Sequence, residues 1–166
     1  MGLNDVAVGS IWDSMAERLC KAAGEGSIIS LRFGAKTSLT AGNPIDAEVE
    51  VTKFVENATQ NFGDSIVSLG DAAAIRFNGI EVILNEKRCQ TYSPSLFTNL
   101  GINPASRKII IVKSTNHFSD AFAPIATEVI YASVDGIYPH DPRNSDFQKL
   151  DRAIWPLSPN PHANSN

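Results

Sequence analysis

Apolar residues fall in short runs along the chain, and the spacing inside each run decides what it can form. Val6 to Ile11 reads as a short apolar strand. Asp13-Ser14 then offers an N-cap, and Met15, Leu19, Ala22 and Ala23 recur at helical spacing until Gly24 and Gly26 end the helix. Ser27 to Phe33 is β-rich and stops at Gly34. From Pro44 to Val55 the pattern alternates: Ile45, Ala47, Val49 and Val51 against Asp46, Glu48, Glu50 and Thr52. That is a half-buried strand with one wet face. Asn57 to Gly63 is polar and reads as a loop.

Ala72 to Phe77 and Ile80 to Leu84 flank Asn78-Gly79. Both residues of that pair tolerate positive φ, so the stretch predicts a β-hairpin. Pro94 to Leu100 predicts a short helix capped by Ser93 and closed by Gly101. Lys108 to Val112 predicts a buried strand. His117 to Ala126 predicts a helix with Phe118, Phe122 and Ile125 on its core stripe, and Glu128 to Tyr131 a further strand. Prolines recur from position 139 onward. The expected architecture is α/β: a single domain over 1–157 with a mixed sheet, a β-hairpin and about three helices (13–23, 94–100, 117–126). Residues 158–166 are expected to form a disordered tail.

Composition narrows the function. A chain of 166 residues with 43% hydrophobic and 19% charged positions can bury one sizeable core. Its net charge of -4 argues against nucleic-acid or anionic-membrane binding, which calls for a basic face. No apolar run approaches the ~18 residues of a membrane span. The N-terminus has neither the basic nor the apolar region of a secretory signal, so a cytoplasmic location is expected. Cys20 and Cys89 lie outside any CxxC or Cys/His cluster and are expected to be free thiols, Cys20 as a small hydrophobe within a helix.

Lys113-Ser114-Thr115-Asn116-His117 is the most informative stretch for chemistry. A strand ends before it and a helix is predicted to begin at its end. A lysine, two hydroxyls and free N–H groups of a first helical turn would together hold a carboxylate or phosphate. The alternative is that Ser114 or Thr115 only caps the helix. Arg88 and Gln90, in Lys87-Arg88-Cys89-Gln90-Thr91, could clamp a carboxylate beside it; the alternative is a solvated strand end. Phe33-Gly34-Ala35-Lys36-Thr37 lacks the spacing of a phosphate-binding P-loop and reads as a turn with an exposed lysine. His117, His140 and His162 fall in no metal-ligand spacing, so no metal ligands are expected on this chain.

Seven motifs in register resemble the C-terminal domain of the microcystinase C (MlrC) family of zinc metallopeptidases. They are Gly9-x-x-Trp12-Asp13, Leu31-Arg32-Phe33-Gly34-Ala35-Lys36-Thr37, Leu69-Gly70-Asp71-Ala72-Ala73 and Gln90-Thr91-Tyr92-Ser93-Pro94. Phe97-Thr98-x-Leu100-Gly101-Ile102-Asn103-Pro104, the stretch from Val112 through Lys113, Ser114, Thr115, His117 and Phe118 to Ala126, and Ile154-Trp155-Pro156-Leu157 complete the set. Where the family has Gly-Gly-Lys, this chain has Gly34-Ala35-Lys36.

The resemblance implies a chain without the N-terminal metal-binding domain, in a family whose full-length members hold zinc there. It implies a substrate-side domain for peptide or amide hydrolysis, inactive alone. Its expected partners are a zinc-bearing N-terminal subunit or a second copy, with a peptide or small carboxylate as ligand, and neither nucleic acid nor membrane. A stand-alone, non-catalytic anion- or peptide-binding domain is the alternative. The expected substrate-binding residues are Arg88, Gln90, Lys113, Ser114, Thr115 and His117, with His117 the candidate for catalysis because its charge is tunable near neutral pH.

Overall fold

The computed structural model describes residues 2–37, 42–114, 116–132, 141, 143 and 145–159. They fall into two compact units, residues 1–129 and 130–166. The first holds β1 (Val6–Trp12), α1 (Ser14–Ala23), β2 (Ile28–Phe33), β3 (Ile45–Phe62), β4 (Ser65–Phe77) and β5 (Ile80–Asn85). It continues with α2 (Ser95–Thr98), β6 (Ile109–Val112) and α3 (Ser119–Phe122), the last followed by a 3-10 turn at Ala123–Ile125. In the second unit the described residues form no strand or α-helix; Arg143 forks onto Asp141 at 2.6 Å.

One six-stranded sheet runs in the order β2-β3-β4-β5-β1-β6. β1 is parallel to both β5 and β6, and the remaining pairs are antiparallel. The α/β class, the mixed sheet and the three helices agree with the sequence reading. So does the hairpin: Asn78 and Gly79 carry φ of 48° and 77° and join β4 to β5.

Each face of the sheet buries its own cluster. On one, Ala16 and Cys20 of α1 pack with Leu31, Phe33, Val49, Val51, Ile75, Val82 and Leu84. On the other, Leu96, Phe97 and Leu100 pack with Phe118, Phe122, Leu69 and Ile83. Gly9 permits that second contact. A Cβ there would stand 2.5 Å from Leu96 Cδ2 and 2.9 Å from Phe97 Cζ, so any side chain would push α2 off β1.

Asp13 caps α1 as expected, its Oδ1 accepting from Ala16 N at 3.1 Å. The phase of α1 differs from the reading. Met15 and Leu19 are exposed, while Ala16, Glu17 and Cys20 face the sheet, where small side chains let the helix lie close. Lys36 is not a solvated lysine: its ammonium pairs with the buried Asp13 carboxylate at 2.8 Å, and Gly34 N donates to the same carboxylate at 3.0 Å. Both cysteines are free, and burial pushes the Cys20 thiol up to about 11.

Four further expectations are corrected. Residues 57–62, read as a loop for their polarity, extend β3 and pair with Ser65–Gly70. β6 is an edge strand rather than a buried one, since no strand pairs with its far side among the described residues. The helix predicted from His117 starts at Ser119 and gives way to a 3-10 turn where Pro124 cannot donate to the helical ladder, leaving Ile125 exposed. Glu128–Tyr131 forms no strand and is exposed. In addition, α2 carries no side-chain cap; the Ser93 hydroxyl meets that of Ser95 at 2.6 Å instead. His140, His162 and residues 160–166 of the expected tail lie outside the described residues.

Two positions carry strain that mutation can read out. Glu17 is 1% exposed, and its Oε1 has no hydrogen-bond partner among the described residues. Burial first, then the nearby charges of Asp71 and Glu86, raise its pKa. A carboxyl raised by folding contributes stability below its unfolded value of 4.5, and that contribution is lost as pH rises through the folded value. Glu17→Gln should therefore raise the melting temperature at pH 7 and leave it nearly unchanged at acid pH; the same gain at both would contradict this account. Ala35 sits at φ 51°, in the left-handed region where a Cβ costs about 1 kcal/mol. Ala35→Gly should raise the unfolding free energy, read from chemical denaturation, by up to about 0.5 kcal/mol after the larger unfolded-state entropy of glycine is subtracted.

Candidate functional site

The chain leaves β1 for α1 on one face of the sheet and leaves β5 for α2 on the other. Connections that part in this way open a crevice beyond the carboxyl ends of the parallel strands. Residues Glu86–Ser93 after β5, and Lys113 and Ser114 after β6, lie at that end of the sheet.

A buried glutamine holds the first of them. Gln60, on the same β3 face as Ala58, is 0% exposed. Its Nε2 donates to the Gln90 carbonyl at 2.7 Å and meets Cys89 Sγ at 3.0 Å, and its Oε1 accepts from Tyr92 N at 2.9 Å. From β1, the Ser10 hydroxyl donates to the Cys89 carbonyl at 2.8 Å. Irregular backbone is thereby satisfied by side chains of two strands, which fixes its path. Thr91 is 0% exposed, and its hydroxyl has no partner among the described residues.

On this base stand the expected residues. Gln90 and Ser114 meet directly, the Ser114 hydroxyl donating to Gln90 Oε1 at 3.1 Å. That hydrogen bond sets the segment carrying Lys113 beside the one carrying Arg88. Crowding of the Lys113 ammonium, and secondarily the Arg88 charge, hold the Lys113 pKa below the ordinary lysine value although part of its side chain is exposed. Neither cation pairs with a carboxylate among the described residues, whereas Arg32, Lys36, Arg76 and Arg107 all do. Two like charges held together without a counterion make a place where an anion is stabilised.

His117 lies apart from the hydroxyls in character. Its ring stands edge-on to Phe62 at 5.2 Å and to Tyr92 at 6.0 Å, and Phe62 and Tyr92 are 4.6 Å apart. This exposed aromatic group borders the polar loop. Thr115 lies outside the described residues. The helical contribution expected here is withdrawn: α3 starts two residues after His117 and is four residues long, too short to focus a dipole on Lys113. Cations and side-chain hydrogen bonds make the site instead.

Sequence reasoning missed Gln60, Ser10 and Phe62. Ala58, Gln60 and Phe62 do share a period of two, but one polar member hid the strand. Among the described residues, no group of three or more His, Cys, Asp or Glu side chains stands together as metal ligands do. With aromatic neighbours around His117, the described residues do not fit a zinc ion. No described helix is long and apolar enough to cross a membrane.

Comparison with known proteins adds an independent line. Residues 1–149 match the family described as MlrC C-terminus. The chain is 34% identical to Microcystinase C of Sphingomonas sp. over 152 residues, which is 92% of this chain and 29% of that protein. Its fold is similar to a crystal structure described as a "Putative metallopeptidase" from Mesorhizobium sp. BNC1, with a TM-score of 0.77 and 22% identity. That match covers 93% of this chain and 31% of the other. The chain thus spans about three tenths of the length of each relative.

The buried staple makes a direct prediction. Gln60→Ala strands the Tyr92 N–H and the Gln90 carbonyl, at a cost of about 2 kcal/mol. Hydrogen exchange should show the Tyr92 amide losing protection before the β4–β5 hairpin does. Unchanged protection at Tyr92 would mean that the loop is held by other contacts.

Proposed function

The chain belongs to the MlrC C-terminus family, and from that premise we propose that it is the substrate-side domain of a microcystinase C-like zinc metallopeptidase. Zinc is held by the remaining part of such enzymes, and this chain alone hydrolyses no peptide or amide. Its role is to bind and orient a peptide or small carboxylate through Arg88, Gln90, Lys113, Ser114, Thr115 and His117. The observation that carries this reading is the Gln90–Ser114 hydrogen bond, which sets Arg88 and Lys113, two cations without a carboxylate partner among the described residues, on adjoining segments.

The two cations neutralise the ligand's carboxylate, and arginine supplies a planar fork for it. Gln90 and Ser114 offer hydrogen bonds at the same rim. His117, beside Phe62 and Tyr92, stands where it can donate a proton or a hydrogen bond to a group presented by the ligand. The partner is a zinc-bearing N-terminal subunit, or a second copy of the chain. Apolar side chains left exposed on β1 and α1, Trp12, Met15 and Leu19, support such an association.

The test pairs this chain with the part of Sphingomonas microcystinase C that precedes its matching stretch. Peptide hydrolysis should appear only in the mixture and only with zinc present. Lys113→Ala and Arg88→Ala should each lower kcat/KM about 10- to 100-fold, the loss of a charge-assisted hydrogen bond. Restored activity indifferent to both substitutions would overturn the site assignment. A chain that binds carboxylate peptides by itself and restores no activity would instead be the stand-alone binding domain.

A further inference from the structure

β6 closes one side of the sheet, and its outer edge leaves main-chain N–H and C=O groups unpaired by any described strand. Proteins blunt such an edge by keeping it short, or with lysine, proline, an inward charge or a bulge. β6 is four residues long and lies between Lys108 and Lys113, but Ile109-Ile110-Ile111-Val112 itself carries no proline, charge or bulge, and its pairing with β1 is unbroken from Val6↔Ile109 to Gly9↔Val112. Its side chains serve both faces. Ile110 and Val112 pack against the cluster that includes Phe118 and Phe122, while Ile109 and Ile111 remain 40% and 42% exposed on the other face. The strand then runs directly into Lys113, and the next residue, Ser114, donates to Gln90 Oε1 at 3.1 Å, two positions from Arg88.

We propose that β6 receives an extended peptide as a seventh strand, running parallel to β6, with its C-terminal carboxylate held by Lys113 and Arg88. The inference rests on those cations being a carboxylate site and adds how the rest of the ligand is held. Charge fixes the direction: the carboxylate belongs at the C-terminal end of β6, so the bound chain runs the same way. At about 3.3 Å per residue, four residues cover β6 and bring the terminus to the cations. Main-chain hydrogen bonds would accept many sequences, and the exposed isoleucines would favour apolar side chains at alternate positions.

The experiment uses the whole chain, labelled with 15N, and acetyl-Val-Thr-Val-Ala bearing a free carboxylate. Three further probes are its C-terminal amide, its copy N-methylated at alternate backbone nitrogens in either register, and acetate. The expected result is added hydrogen-exchange protection within residues 109–112. Affinity should fall about tenfold on amidation, on N-methylation in one register and in Lys113→Ala. Carboxylate-dependent binding that ignores N-methylation and leaves 109–112 unprotected overturns the added strand while the cation site stands. Protection of 109–112 that is indifferent to amidation and to Lys113→Ala overturns the cation site and with it the proposed direction. No binding by any probe overturns both. Protection without peptide that grows with protein concentration, matched by dimers in light scattering, assigns the edge to a second copy and overturns the peptide.

Discussion

One carboxylate ties together the parts of the fold that would otherwise drift. Asp13 follows β1, and its N–H donates to the Asn85 carbonyl at the end of β5. Its side chain caps α1, accepts from Gly34 N after β2, and binds the Lys36 ammonium. The carboxylate is 2% exposed, so its desolvation is offset only because each oxygen has partners. With these contacts in place, β1 and β5 end at a common level and α1 departs to one side. The crevice beyond the parallel strands depends on that alignment. Lys36 and Gly34, inside one of the family's motifs, thus act at a distance from the candidate site.

Beyond the strand ends, the protein divides its polar groups by burial. Gln60 and Ser10 direct their hydrogen bonds into the Cys89–Tyr92 segment, to its backbone and to Cys89 Sγ, which fixes its path. Arg88 and Lys113 do the opposite. Elsewhere this chain pairs cations closely: Arg107 bridges Asp5 and Glu81, and Lys21 bridges Glu56 and Asp71. Two cations on adjoining segments with no carboxylate partner among the described residues would gain Coulombic energy from a bound anion. This contrast within one molecule, more than the presence of any lysine, is the ground for the proposed site.

Much of the fold was legible because local rules and burial agreed. Asn78-Gly79, the Asp13 cap and the alternation of residues 45–51 each gave a true element. Errors arose where they disagreed. In α1 the larger apolar side chains, Met15 and Leu19, point outward, because close approach to the sheet selects Ala16 and Cys20. At 57–62 a buried glutamine made a strand look like a loop. Ile109–Val112 looked buried because four apolar residues in a row give no sign of which side lacks a neighbour. Of the candidate residues that the sequence brought forward, Gln90 and Ser114 meet, on segments that also carry Arg88 and Lys113, but not for the expected reason: a helix terminus was expected where side-chain hydrogen bonds stand. Contacts such as Gln60 to Gln90 span 30 positions and leave no local trace.

The overall charge constrains what such a site can bind. The chain carries a net charge of -4, so its far field does not attract anions. At physiological salt, charges more than about 8 Å away are largely screened. The Arg88–Lys113 pair therefore acts only on a carboxylate already close to it. A small free anion gains nothing else from this surface and pays no heed to the strand beside it. A peptide terminus differs, because an adjacent main chain can supply hydrogen bonds and apolar contact at the same time. On the proposed reading, short-range cations next to an apolar edge that no described strand pairs would favour a carboxylate carried on an extended chain over the same carboxylate alone, and the discrimination would come from linkage rather than from charge.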